Sequence, residues 1–415
     1  MVYVLNKEGK PLMPTNRHGK VRHLLETGKA KVVSKEPFTI KLLYDSTNYV
    51  QDLTLGVDTG SGTFATAVTD KNDNVVYTSE VELRNDVTDK MKQRNKYRRN
   101  RRNRKTRYRK ARFLNRKNST KTDRHSPTMK SKLQSHIKEI EFIKSILPIT
   151  LLVLETATFD THLMKNPTMN RHWGYQRGAN YGFENTKMMI RNRDNYTCQY
   201  CKNKCKDSNL DVHHIIFRSN GGSDEPENLI TLCRTCHKDL HNGKIKLKVK
   251  GKNKGTLRFA TQMNEIRSQL LKHYPEAIET FGYITKINRI ENNLPKEHYI
   301  DACMIASEGK PVKFLTDYVY LKKSVAKGDY QRTKGVRSEV TIPNHKIQGF
   351  NKFDKVLYKN NIYFIKGRYS TGYAVLMDIK GITQKFINPK IPKMQNMTRI
   401  SARKSILVDK MKLIY

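Results

Sequence analysis

Five of the six cysteines fall between positions 198 and 236. Cys198 and Cys201 form one C-x-x-C pair, and Cys233 and Cys236 form a second. Thiolates in this arrangement suit tetrahedral, structural Zn²⁺, and their clustering argues for metal and against a disulfide framework. The 31 residues between the pairs exceed what a plain zinc ribbon needs, so something is inserted between the knuckles. That segment is LDVHHIIFRSNGGSDEPENL. His213 and His214 are adjacent, so a strand turns them to opposite sides: one can bind metal while the other faces substrate. Asn228 and His237 follow His214 by 14 and 23 residues. The plainer alternative is two incidental histidines beside a zinc knuckle. Cys205 is extra to both pairs and reads as a buried thiol.

A second set of chemistry-bearing residues is scattered. In LGVDTGSGTFATAV, residues 55–68, Asp58 ends an apolar strand where the local pattern needs no charge. The apolar run ITLLVL ends likewise in Glu155, and EHYIDACMIAS reads as a helix with His298 and Asp301 on one face, three residues apart. Phosphodiester hydrolysis by two hard cations about 4 Å apart calls for such carboxylates, because Mg²⁺ prefers carboxylate oxygen and water. His298 is then a candidate general base. Taken singly, each acid is also explained as a turn or capping residue. The Asp58 pattern opens sugar-kinase and actin-like folds as well as RNase H-like nucleases.

The elements that must position these groups follow from periodicity and composition. The 415 residues suffice for two to four domains, and 80 Lys and Arg against 38 acidic residues give a net charge of +42. So large an excess is accommodated when a polyanion neutralises it, and nucleic acid is the first candidate. No apolar run reaches the length of a membrane span, and the N-terminus carries no signal-peptide pattern, so a cytoplasmic protein is expected.

Residues 53–80 read as a three-stranded antiparallel meander. Lys90 to Thr122 contains no acidic residue, and positions 94–112 hold nine Arg and three Lys without Pro or Gly. A continuous helix there cannot bury itself in an apolar core and would be ordered by phosphates; the alternative is a solvated basic tail. Arg94, Arg98, Arg99, Arg101, Arg102, Arg104, Arg107, Arg109 and Arg112 are the candidate nucleic-acid contacts, with Tyr97 as a stacking or anchoring ring. Residues 129–147 form an amphipathic helix with Leu133, Ile137, Ile140, Ile143 and Leu147 on one stripe, and 260–272 another with Ile266 and Leu270. Beyond about 315 the chain alternates strands with Asn- and Gly-containing turns.

The cysteine and histidine stretch, residues 196–241, closely resembles the HNH (ββα-metal) endonucleases. The resemblance implies His214 as the base that activates water, His213 and His237 as ligands of one Mg²⁺, Asn228 as a brace of the catalytic loop, and the four Cys as the structural Zn²⁺ site. The whole order of motifs resembles the IscB family of transposon-encoded RNA-guided nucleases, related to type II CRISPR effectors. It rests on PLMP at 11–14, Asp58, the Arg-rich run, Glu155, the HNH stretch, and His298 with Asp301.

That resemblance implies an α/β multidomain fold with an RNase H-like RuvC core split in three. The expected parts are an N-terminal PLMP domain (1–52), RuvC I (53–88), a bridge helix (89–125), RuvC II (126–185), HNH (186–245), RuvC III (246–315) and a β-rich C-terminal domain (316–415) that meets RNA and a flanking motif. Asp58, Glu155 and Asp301 would hold two Mg²⁺ and His298 would act beside them. A structured guide RNA (omega RNA), one protein per RNA, would direct cleavage of double-stranded DNA bearing a flanking motif. HNH would cut the guide-paired strand and RuvC the displaced one, in the cytoplasm of a prokaryote at its nucleoid. The rivals are an RNA-independent homing-type HNH endonuclease and a non-catalytic RNA-binding factor.

Overall fold

The computed structural model describes residues 1–103, 125–165, 167, 180–202, 204–205, 207–220, 222–249, 257–326 and 346–413. Two compact units emerge: Met1–Thr158 together with Gln262–Tyr415, and Phe159–Thr261.

The first unit is organised by an eight-stranded mixed sheet. Leu53–Asp58, Thr63–Asp70 and Asn74–Glu82 form the expected antiparallel meander. Ile149–Thr156 pairs parallel to Leu53–Asp58, and Ile278–Phe281 pairs parallel to Ile149–Thr156. On the other side, Tyr318–Ser324 runs parallel to Asn74–Glu82, and Ile406–Lys412 follows antiparallel. These last two strands come from the stretch read as a C-terminal domain. Their alternating pattern is the same whether a strand edges a large sheet or a small one, so sequence could not assign them.

Alternation along Leu53–Asp58 decides what each face does. Leu53, Leu55 and Val57 are fully buried and join a core with Ile140, Ile143, Ile266 and Leu270 from two helices, Pro127–Ile146 and Arg258–His273. Gly56 and Asp58 point the other way. There the helix His298–Ala306 packs so closely that a Cβ on Gly56 would lie 2.5 Å from the Ala302 carbonyl oxygen. Ala65 and Ala67 bury under the same helix beside Tyr299, Ala302 and Cys303. Small residues on this face let the helix that carries His298 and Asp301 sit directly over the strand that carries Asp58.

The helix Pro127–Ile146 starts with Ser126 accepting from Met129 N, and with proline in the first turn. Its buried face departs from the expected stripe: Lys132, His136 and Glu139 are buried with Ile140, Ile143 and Ile146. His136 stacks on Phe64, whereas Lys132 and Glu139 belong to a polar network. Glu139 accepts from Ser79, Tyr77 and Lys322, with Lys322 Nζ at 2.6 Å, and the Lys132 ammonium reaches Ser61 O and Gln262 Oε1. A buried charge is tolerated when it is paired and hydrogen-bonded in this way.

Val87–Asn103 is helical, and Tyr97 is its buried anchor, while Arg94, Arg98 and Arg99 are exposed. Arg101 and Arg102 lie within this helix, but their side chains are outside the described residues, as are Arg104, Arg107, Arg109 and Arg112. A three-stranded sheet, Tyr3–Leu5, Phe38–Leu42 and Ala30–Lys35, with the helix His18–Glu26, forms the N-terminal part. A four-stranded antiparallel sheet lies near the C-terminus, ordered Ala374–Met377, Asn361–Arg368, Lys355–Tyr358, Thr398–Ser401.

In the second unit, Leu210–His214 and Leu229–Cys233 make a hairpin followed by the helix Arg234–His241. Cys233 caps that helix by accepting from Cys236 N at 3.4 Å. The zinc knuckle and the helix start are therefore the same turn of chain.

Candidate active sites

In the first unit, sheet register brings Asp58 directly beside Glu155 on the parallel neighbour. Thr59 Oγ1 donates to Glu155 O at 2.6 Å and fastens the two strand ends. From the overlying helix, His298 Nδ1 reaches Asp58 Oδ2 at 2.8 Å. Asp301, one turn later, has Arg289 Nε at 2.9 Å from its Oδ1.

Sequence reading found the four predicted residues but missed their supports. These come from the helix Gly282–Glu291, which faces the acids with Gly282, Thr285 and Arg289. Thr285 Oγ1 donates to Glu155 Oε2, and a Cβ on Gly282 would press within 2.9 Å of Glu155 Oε1. The 3- and 4-residue spacing of this trio marks a helix face, but no motif singled it out. Glu80 was also missed. Ala65 pairs with both Asp58 and Glu80, so the two acids share a row and a face of the sheet.

Electrostatics make this an acid-rich, partly dehydrated site. Burial, and then the charge of Asp58, push the Glu155 carboxyl from the usual 4.5 up to about 7. Burial and the same neighbour raise Asp301, and burial raises Glu80. The bond to Asp58 raises the His298 imidazole. Mutually repelling carboxylates of this kind are relieved by divalent cations. They do not form one tight group with every ligand atom within 4.8 Å, as the thiols and imidazoles of the second unit do.

In the second unit the Sγ atoms of Cys198, Cys201, Cys233 and Cys236 all lie within 4.8 Å of one another. The Cys201–Cys233 separation is 3.9 Å, close to the roughly 3.8 Å edge of a tetrahedron with 2.3 Å Zn–S bonds. The four cysteines form a zinc-binding cluster. Cys205 is exposed, with its Sγ 3.8 Å from Cys236, so the expectation of a buried thiol fails. Its segment sits outside the hairpin core.

The hairpin separates the paired histidines as strand geometry requires. His213 is buried and meets His237 and His241 from the helix, with ring centroids 5.0 Å from each. The ligand atoms of these three imidazoles lie within 4.8 Å of one another. His213 Nε2 is buried without a hydrogen-bond partner, and a cation at the imidazole group would satisfy it. Burial, and then the neighbouring imidazoles, push His213 down to about 4, which keeps it neutral and able to ligate. His237 Nδ1 lies 3.5 Å from Asp211 Oδ2, so its Nε2 is the nitrogen turned to the cluster, 3.2 Å from His241 Nε2. His241 was missed; its position one turn after His237 on an amphipathic helix was the available signal.

His214 takes the other side, with Nε2 2.6 Å from Asp224 Oδ1. Asn228 is fully buried: its Oδ1 accepts from Ile216 N at 2.8 Å, and its Nδ2 donates to Ile216 O at 3.0 Å and Ser223 O at 2.8 Å. Both ends of the loop after His214 are thus tied to one side chain.

A zinc-braced hairpin and helix presenting clustered imidazoles defines a nuclease unit of the ββα-metal class. Residues 198–243 match the family described as HNH endonuclease. The chain carries a DNA endonuclease domain. Residues 2–178 match the family described as RRXRR protein, and Arg98-Arg99-Asn100-Arg101-Arg102 spells that pattern. Among curated relatives, Anaredoxin of Nostoc sp. is 32% identical over 69 residues, covering 17% of this chain and 88% of that protein. The type IV methyl-directed restriction enzyme EcoKMcrA of Escherichia coli K12 is 49% identical over 35 residues, 8% of this chain and 13% of that enzyme. Among the described residues, no helix is long and apolar enough to cross a membrane.

Proposed function

We propose that this chain is an RNA-guided DNA endonuclease of the IscB type, with one nuclease site in each unit. The observation that carries the reading is the carboxylate site of the first unit. Asp58 and Glu155 are adjacent on parallel strands, and His298 and Asp301 come from the helix above them. A chain that needed only its HNH unit to cut DNA has no use for this second site. The strand order, a meander followed by two parallel strands beside its first member, supports an RNase H-like core. The exposed Arg94, Arg98 and Arg99 and the charge of +42 support an RNA partner that completes the scaffold. The setting would be the prokaryotic cytoplasm at the nucleoid, on duplex DNA bearing a flanking motif.

At the HNH site, His213, His237 and His241 would hold one divalent cation, which would stabilise charge on the phosphate and on the leaving oxygen. Three imidazoles without a carboxylate suit a borderline transition ion better than the expected Mg²⁺. His214 takes a proton from water, the resulting hydroxide attacks phosphorus, and the P–O3′ bond breaks. Asn228 keeps the His214 loop in one conformation. In the first unit Asp58, Glu155 and Asp301 would hold Mg²⁺, and His298 would move a proton once it leaves Asp58.

A pH test follows from Glu155. Its carboxyl is raised in the folded, metal-free state from 4.5 to about 7. Its contribution to stability is therefore present below 4.5 and is lost as pH rises through 7. Mg²⁺ competes with that proton, so protection by Mg²⁺ should be small at pH 5.5 and large at pH 8. Thermal melts with Mg²⁺ and with chelator check this, and equal protection at both values would refute Glu155 as a ligand.

The function itself is tested by identifying the nucleic acid that co-purifies with the protein. A single structured RNA, and duplex cleavage that is lost with RNase and restored by that RNA, is the expected result. Site-specific cutting by RNA-free protein would favour the homing-type endonuclease.

A further inference from the structure

Asp224 Oδ1 is a junction that the HNH reading leaves unused. It accepts from His214 Nε2 at 2.6 Å, and Arg218 reaches the same oxygen with Nε at 2.9 Å and Nη2 at 2.6 Å. Asp224 stands at the far end of the loop that Asn228 ties down, ten residues after His214. Its carboxylate can only accept, so the nitrogen it holds must carry the ring proton. His214 Nδ1 has no protein partner among the described residues and is the nitrogen left with a lone pair. Two-thirds of the Arg218 side chain is exposed, and its guanidinium can reach solvent.

We propose that Asp224 is the positioning residue for His214, holding the Nε2–H tautomer so that Nδ1 takes the proton of the attacking water, and that Arg218 shares Asp224 until a DNA phosphate draws it away. The proposal rests on His214 being the base. The loop after His214 is then more than a spacer between the histidine and Asn228. Its arginine reports substrate, and its carboxylate turns fully to the imidazole when substrate is present. A phosphate is the natural competitor, because guanidinium pairs with phosphate and carboxylate in the same two-pronged way.

The test uses the full-length protein. Imidazole ¹⁵N NMR, with His214 assigned by its loss in His214→Gln, should show Nε2–H in the wild type and a mixed tautomer in Asp224→Asn. Nicking of a supercoiled plasmid carrying the matching target, by the protein in complex with its co-purified RNA and with Mn²⁺, on an Asp58→Ala background that silences the first unit, gives the kinetic readout. Asp224→Asn should lower kcat by roughly a hundredfold with KM nearly unchanged. Asp224→Glu should restore part of the rate. Arg218→Ala should raise KM several-fold and leave kcat near the wild-type value.

The Nδ1–H tautomer in the wild type, or an Asp224→Asn spectrum identical to it, overturns the proposal. So does Asp224→Asn nicking at the wild-type rate where His214→Ala is inactive. If His214→Ala itself nicks normally, the base assignment fails instead, and the two failures are distinguishable.

Discussion

Cys233→Ser should release zinc and unfold the hairpin Leu210–His214 and Leu229–Cys233 with the helix Arg234–His241, while the sheet of the first unit stays intact. Cys233 supplies one of four clustered thiols and also caps the helix that carries His237 and His241. Losing it removes a ligand and the helix start together. Structural zinc supplies roughly 10–16 kcal/mol to small zinc-dependent folds at neutral pH. The apolar core here, gathered around Ile230 and Leu232, is too small to replace it. Metal analysis should fall from about one zinc per chain to none, and proteolysis should cut within 159–261 first. Retention of zinc and of protease resistance in Cys233→Ser would refute the structural role.

The second large effect separates the two proposed nuclease sites. His214→Ala should abolish cutting of the guide-paired strand alone, and Asp58→Ala cutting of the displaced strand alone, each by at least two orders of magnitude. His214 lies in one unit and Asp58 in the other, and each unit has its own apolar core. Each variant should therefore nick where the wild type makes a double-strand break. Labelled-strand assays with the co-purified RNA read the outcome directly. A single change that stops both cuts while RNA and DNA binding persist would overturn the assignment of one strand to each site.

What sequence reveals here depends on how local the chemistry is. The zinc pairs, His213 with His214, and Asn228 fall within 39 residues, and their spacing is itself the signal. Asp58, Glu155 and Asp301 were legible because each ends or faces along a recognisable element. Arg289, Thr285 and Glu80 were not. Nothing about a threonine on a short helix announces that it will meet a glutamate 130 residues away. The four-residue strand Ile278–Phe281, which precedes that helix, carries no periodicity long enough to recognise. The same limit hid Glu139. Its helix reads as ordinary amphipathic core until Lys322 arrives from a distant strand to pair with it.

The second unit is one continuous stretch, whereas the first is assembled from both sides of it. During synthesis, Ile266, Leu270 and the helix His298–Ala306 leave the ribosome only after the whole of Phe159–Thr261. The zinc-braced unit can therefore mature while the central sheet still lacks the strand Ile278–Phe281 and both of its later covers. The meander must wait with only the helix Pro127–Ile146 on its apolar row, and pairing across so long a separation is slow. Among the residues of the carboxylate site, His298 and Asp301 are synthesised last. Vectorial translation thus keeps the carboxylate centre incomplete on every nascent chain, and a truncated product would carry the HNH module without its partner site.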